Sequence, residues 1–212
     1  MTRVVAAVVL AVAAAAGLAA DPDVVQRPQV KPGDSWTYRR MDYWTNKQTG
    51  RLHETVTFAN DKVIVAVGQR GDKEKEVDAT YTAEWNFVSS PTGRVFDPDQ
   101  GLFRFPMHPG DTHEAKYDMK DPTEGSFEVR FERHVKVVRW EEVTVPAGKF
   151  RALRVESEGP FQRIDAPVTG TAKETAWYAP EAKRFVKWTF ENATPKGKNL
   201  WWGIELLEYK VQ

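Results

Sequence analysis

Alternation of period two dominates the chain. In its clearest run Val77, Ala79, Tyr81, Ala83, Trp85 and Phe87 share one parity, with Asp78, Thr80, Thr82, Glu84 and Asn86 between them. That is the pattern of a strand with one covered and one wet face. Similar runs occupy 36–44, 51–58, 126–140, 150–158, 171–178, 184–191 and 202–211, while 63–67 is continuously apolar and predicts a central strand. No segment beyond residue 20 sustains an apolar stripe at helical spacing. Turn-forming groups separate the runs, among them Asn60-Asp61, Pro91-Thr92-Gly93, Asp97-Pro98-Asp99, Glu124-Gly125, Pro146-Ala147-Gly148 and Pro195-Lys196-Gly197. The predicted fold class is all-β or nearly so, an antiparallel meander of about ten strands.

Three runs change phase partway: at Val137/Val138, at Ala152/Leu153 and at Leu206/Leu207 the apolar set moves to the other parity. One extra residue in a strand is a β-bulge, and bulges bend strands, so the sheet is expected to curve into a half-barrel or open barrel. A weak repeat adds to this. Lys31-Pro32-Gly33-Asp34-Ser35 with Tyr38 returns as His108-Pro109-Gly110-Asp111-Thr112 with Tyr117, which suits two related halves meeting near residue 100.

The first 20 residues break the pattern. Arg3 precedes an apolar stretch from Val4 to Leu18 that ends in the small residues Ala19 and Ala20, followed by Asp21-Pro22-Asp23. This predicts a signal helix cleaved near Ala20, since roughly 20 apolar residues are needed to span a bilayer. Residues 21–30 then read as a linker and 31–212 as a single antiparallel β domain, exported to the periplasm or secreted. With no cysteine there is neither a disulfide nor an acylated thiol, so no stable membrane anchor is expected after cleavage. Lys plus Arg equal Asp plus Glu at 30 each, a balance that argues against a nucleic-acid partner.

Recognisable chemistry is sparse. His53, His108, His113 and His134 have no metal-ligand spacing, there is no G-x-S-x-G elbow, and Asp97-Pro98-Asp99-Gln100-Gly101 is followed by Leu102 and Phe103 where a calcium loop needs oxygens. No catalytic residue, metal or cofactor is predicted. The distinctive inventory is aromatic: 8 Trp, 11 Phe and 6 Tyr. Most of these rings fill a core, yet adjacent Trp201 and Trp202 must point to opposite faces, which leaves room for a lined cavity or groove. The candidate ligand-binding residues are Trp36, Tyr38, Trp44, Tyr81, Trp85, Arg133, Trp177, Trp188 and Trp202. Arg133 is chosen because it interrupts the apolar parity of its strand; a buried ion pair, a rim position and a ligand contact are all open, the rim being the plainest.

The segments Val143-Thr144-Val145-Pro146-Ala147-Gly148-Lys149-Phe150, Ala152-Leu153-Arg154-Val155 and Glu174-Thr175-Ala176-Trp177-Tyr178-Ala179-Pro180 resemble the signature of an exported bacterial family of unknown function. Pro32-Gly33-Asp34-Ser35-Trp36 resembles its opening strand. The resemblance implies a periplasmic envelope protein, similar in architecture to the half-barrel of the lipoprotein carriers LolA and LolB, with no catalytic residues to carry over. The chain is thus expected to be a non-catalytic binder of a hydrophobic small molecule, a lipid or an envelope protein segment. The alternatives are an envelope scaffold that uses an exposed sheet edge, or a hydrolase with an unmarked site.

Overall fold

The computed structural model describes residues 23–71, 76–122 and 126–212. The predicted signal helix over 1–20, the Glu124-Gly125 turn and most of the charged run 71–76 lie outside them. The described residues form twelve strands: β1 (Ser35–Asp42), β2 (Lys47–Ala59), β3 (Val63–Arg70), β4 (Val77–Thr82), β5 (Phe87–Ser89), β6 (Val95–Asp97), β7 (Thr112–Asp121), β8 (Phe127–Val145), β9 (Gly148–Arg163), β10 (Thr169–Ala179), β11 (Arg184–Thr194) and β12 (Gly197–Lys210). Each pairs antiparallel with the next, and β12 returns to β1 with Trp36 opposite Tyr209, so the ring is a closed barrel. Closure gives every strand of that ring two neighbours, with β5 meeting β6 at the single pair Ser89–Val95.

Two of the three phase slips are bulges. Val137 and Arg139 face the adjacent residues Val155 and Arg154, making Val138 the extra residue. Thr37 and Tyr38 face Glu208 and Leu206, making Leu207 extra. At Ala152/Leu153 the register to β10 runs on without a shift from Leu153 onward. Both residues are fully buried because the strand is covered on both faces there, which mimics a slip. The alternation across 77–87 also hides a reversal: β4 stops at Thr82, whose hydroxyl accepts the N–H of Glu84 and of Asn86, and Trp85 sits at φ 67° before β5 begins. A bulky side chain is uncommon in that left-handed region, and here Trp85 is held by burial of its ring. In β3 only one parity, Ile64, Ala66 and Gly68, is buried. In a closed ring every strand has two neighbours, and its outward face meets water.

The two Pro-Gly-Asp turns have the same construction. Asp34 and Asp111 donate their N–H to Lys31 and His108 oxygens, and their carboxylates accept the N–H of those same residues. Gly33 and Gly110, at φ 92° and 97°, donate to Val56 on β2 and Val137 on β8. A glycine is needed at such φ. One turn therefore opens β1 and the other opens β7.

In this meander the turns after odd-numbered strands lie at one end of the barrel and those after even-numbered strands at the other. The even end is closed. The connection from β6 to β7 crosses it and buries Leu102, Phe103 and Met107, while Asn86 exchanges two hydrogen bonds with the Phe103 backbone at 2.8 and 2.7 Å. Residues 23–30 are packed against this end rather than forming a free linker: Val25 is buried and bridges Met107, and Lys183 Nζ donates to Gln29 oxygen at 2.7 Å. A single 3-10 turn, Pro180–Ala182, completes the closure; Trp36 Nε1 donates to Ala182 oxygen and Trp85 Nε1 to Lys183 oxygen.

The outward face carries paired charges along neighbouring strands, including Lys116 with Glu132, Arg130 with Asp118 and Lys173 with Glu156. A lipid-facing barrel needs an apolar band there instead. No helix among the described residues is long and apolar enough to cross a membrane.

Candidate functional site

The nine candidate residues fall into four places. Trp36, Tyr38, Tyr81 and Trp85 are fully buried near the closed end. Trp44 stands exposed in the β1–β2 turn, edge-on to Trp201. Trp177 lies on the outer face, where its Nε1 donates to Glu141 at 2.6 Å and Lys187 sits over its ring. Arg133, Trp188 and Trp202 face the lumen, and of the eight tryptophans and tyrosines only Trp188 and Trp202 come together with their rings partly open to solvent.

The buried four surround a residue that the sequence reading missed. Arg184 is 0% exposed and pairs with Glu54 at 3.0 Å. Its Nη2 donates to the Tyr81 hydroxyl, and that hydroxyl donates to Glu54. The rings of Trp85, Tyr81, Phe185, Trp36 and Tyr38 stand 4.3 to 5.7 Å from its guanidinium carbon. Burial works against the charge of Arg184, but the Glu54 carboxylate and the Tyr81 oxygen outweigh it and keep the guanidinium protonated. Burial pushes the Tyr81 hydroxyl far above its ordinary value, so it stays a donor to Glu54. Trp36, Tyr38, Tyr81 and Trp85 are each at most 1% exposed in this shell.

A second buried pair lies halfway down the lumen. Arg133 is 1% exposed, so it occupies neither a rim nor an open ligand contact; its Nη2 is 3.5 Å from Glu174, and its Nη1 donates to the Ala172 carbonyl. Gln100 donates to the other Glu174 oxygen at 2.8 Å, and Trp188 also hydrogen-bonds this carboxylate. Burial raises the Glu174 pKa, and the Arg133 charge with these hydrogen bonds only partly restrains the rise. The pair forms a polar floor beneath the odd end.

Beyond that floor the lumen is lined by rings. One wall is a ladder across β5 to β9: Phe87 on Phe96 at 5.6 Å, Phe96 beside Tyr117, Tyr117 stacked on Phe131 at 5.1 Å, and Phe131 beside Phe161. Gly170 lies opposite Phe161, and a Cβ there would come within 2.7 Å of the ring, so glycine is required for the ring to lie flat over the sheet. The facing wall is Trp188, Phe190 and Trp202, with Trp188 and Trp202 edge-to-face at 4.9 Å. Phe127, Trp188, Phe190 and Trp202 point inward yet are only half-buried. Solvent therefore reaches them through the odd end.

Cations sit at this mouth. Arg40 lies 4.6 Å above Trp202, and Arg163 lies 5.1 Å above Phe127 while paired with Asp165. Burial, and then the charges of Arg94 and Arg70, lower the Arg40 pKa. Arg94 itself pairs with Asp121 at 2.8 Å. The arrangement suits an apolar body against the rings with a polar or anionic group toward the arginines. The histidines are engaged elsewhere: His108 pairs with Asp111 in an exposed turn, His134 with Glu114 on the outer face, and His53 with the hydroxyls of Thr37 and Thr55. His113 bonds the Gly101 carbonyl. No group of three metal-ligating side chains occurs among the described residues.

Two solved structures share this architecture. One, from Bacteroides fragilis NCTC 9343, is described as an exported protein with a YmcC-like fold; it aligns with a TM-score of 0.55 at 21% identity over 88% of this chain and 99% of its own. The other, described as a lipoprotein from Parabacteroides distasonis ATCC 8503, aligns with a TM-score of 0.55 at 14% identity over 89% and 100%. The likeness is one of fold. No protein-family model matches the chain, and no curated protein matches it.

The residues that the sequence reading missed carry one common signal. Glu54 sits between Leu52 and Val56, and Glu174 between Ala172 and Ala176: each is a charge on the apolar parity of a strand, as Arg133 is. Searching every run for that break would have found both partners of Arg133 and Arg184.

Proposed function

We propose that this chain is an exported, non-catalytic binding module that holds a hydrophobic or lipid-like molecule in the odd end of its barrel. The observation that carries the reading is the contrast within one lumen. Rings near the closed end are fully buried, whereas Trp188, Phe190, Trp202 and Phe127 face inward and stay partly exposed. Apolar surface held open inside a barrel is the usual form of a small-molecule site. The exported or lipoprotein descriptions of the two similar structures, together with the signal-like first 20 residues, support an extracytoplasmic setting.

Mass spectrometry of organic extracts from the purified protein, paired with titration of an environment-sensitive apolar dye, tests the reading. A copurifying lipid or saturable dye binding is expected, and Trp188→Ala or Trp202→Ala should weaken the dye by roughly tenfold, about 1.4 kcal/mol. Absence of both, or affinity indifferent to these changes, refutes it. Export is checked separately by N-terminal sequencing of the secreted form, which should begin at Asp21.

A further inference from the structure

The barrel wall is uneven in strand length. β5 and β6 have three residues each, against ten in β7 and nineteen in β8. The turn they carry, 90–94, stands at the odd end beyond their single pair, Ser89–Val95. It is bonded within itself. Ser90 N–H donates to the Arg94 oxygen at 2.8 Å, Gly93 N–H to the Ser90 oxygen at 2.9 Å, and the Ser90 hydroxyl accepts the Arg94 N–H.

This turn leans inward from the rim without crossing the lumen. Ile64, Ala66 and Gly68 are the inward residues of β3, and a Cβ on Gly68 would lie 2.5 Å from the Pro91 Cβ. The buried Pro91 ring therefore occupies the space that a side chain at 68 would fill. Asp121 shares the inward parity of Tyr117 and Met119 on β7, and its carboxylate accepts from Arg94 Nε at 2.8 Å. Side chains thus hold the turn in, while its own backbone bonds keep it in one piece. A like charge opposes them: Arg94 is near enough to Arg40 on β1 to lower the Arg40 pKa.

We infer that the 90–94 turn is a gate that swings outward as one piece about the Ser89–Val95 pair and controls entry to the lumen at the odd end. Opening parts no strands, because the β4–β5 pairs reach only to Ser89 and the β6–β7 pairs begin at Val95. It widens the mouth beside Phe96, at one end of the ring ladder. The turn spans only the side from β3 to β7, so Trp188, Phe190 and Trp202 on the other wall stay partly exposed with the gate closed. The swing is independent of what the lumen holds, whereas its role in entry rests on the binding function proposed above.

A crosslink tests it. The chain has no cysteine, so Gly68→Cys/Pro91→Cys introduces one thiol pair, and a relaxation of about 1 Å brings the two Cβ atoms to disulfide spacing. Stopped-flow association of the uncharged dye N-phenyl-1-naphthylamine should slow about tenfold when the pair is oxidised and recover on reduction. Arg94→Gln frees the turn from Asp121, and should raise both dye association and hydrogen exchange of the 90–94 amides about fivefold. Arg130→Gln, in the outer-face pair with Asp118, should change neither. Failure of the pair to oxidise, an association rate indifferent to the crosslink, or unchanged exchange in Arg94→Gln overturns the gate. If the dye shows no saturable binding in either redox state, the binding function falls, and the exchange measurement still decides whether the turn swings.

Discussion

The two ends of the barrel use the same materials to opposite effect. At the closed end, Trp36, Tyr38, Tyr81 and Trp85 are stacked about Arg184, and every indole N–H and hydroxyl in that group is used. At the odd end Trp202, packed with Trp188 and Phe190, also faces an arginine, Arg40, but these rings are partly exposed and the cation has no carboxylate partner among the described residues. The difference comes from what crosses the lumen. The β6–β7 connection and the Pro180–Ala182 turn supply carbonyls and apolar side chains to the closed end, whereas the described residues place no such segment over the mouth. One end is crossed by chain and, among the described residues, the other is not.

The largest expected effects belong to the closed end. Arg184→Met leaves the Glu54 carboxylate buried without its counter-charge, and should cost about 3–5 kcal/mol in urea-unfolding free energy. Trp85→Ala opens a large cavity and should cost ~3–5 kcal/mol by the same measurement. Trp202→Ala at the mouth should cost under ~1.5 kcal/mol, because its ring is already partly in water. Equal losses for Trp85 and Trp202 would remove the distinction between the ends.

A smaller effect is set by pH on the outer face. Burial raises the Glu205 carboxyl, but hydrogen bonds from Arg39 and Lys187 outweigh it and hold the pKa below the ordinary glutamate value. A depressed carboxylate contributes stability above its unfolded pKa of roughly 4.3 and loses it as pH falls through the folded value. Glu205→Gln should therefore flatten the acid side of the stability profile, read as urea midpoints below about pH 5. Glu174 has the opposite sign. Its raised pKa removes stability as pH climbs above the unfolded value, so this buried group opposes folding at neutral pH.

Much of the fold was legible because alternation reports which face is covered. The meander and the bulges at Val138 and Leu207 all follow from parity. What parity cannot show is whether a covered face meets a filled core or an open lumen. Trp85 and Trp202 both sit on the apolar parity of their runs, and only the segment crossing the lumen separates them. Parity also continues through a tight reversal, which hid the break between β4 and β5. Curvature was read from the bulges, but which strands close the ring was not legible, since the β1–β12 pairing joins residues too far apart for local pattern to signal. Candidate sites chosen by aromatic type therefore mixed core, rim and outer face, and the charges lodged on apolar parity were the better guide.

Quenching of intrinsic fluorescence by a fatty acid brominated along its chain addresses the central claim most directly. The wild-type protein should be quenched saturably, and the double variant Trp188→Phe/Trp202→Phe should lose most of that quenching while Trp36→Phe/Trp85→Phe retains it. Quenching that never saturates, or that survives removal of Trp188 and Trp202, would contradict an open binding lumen.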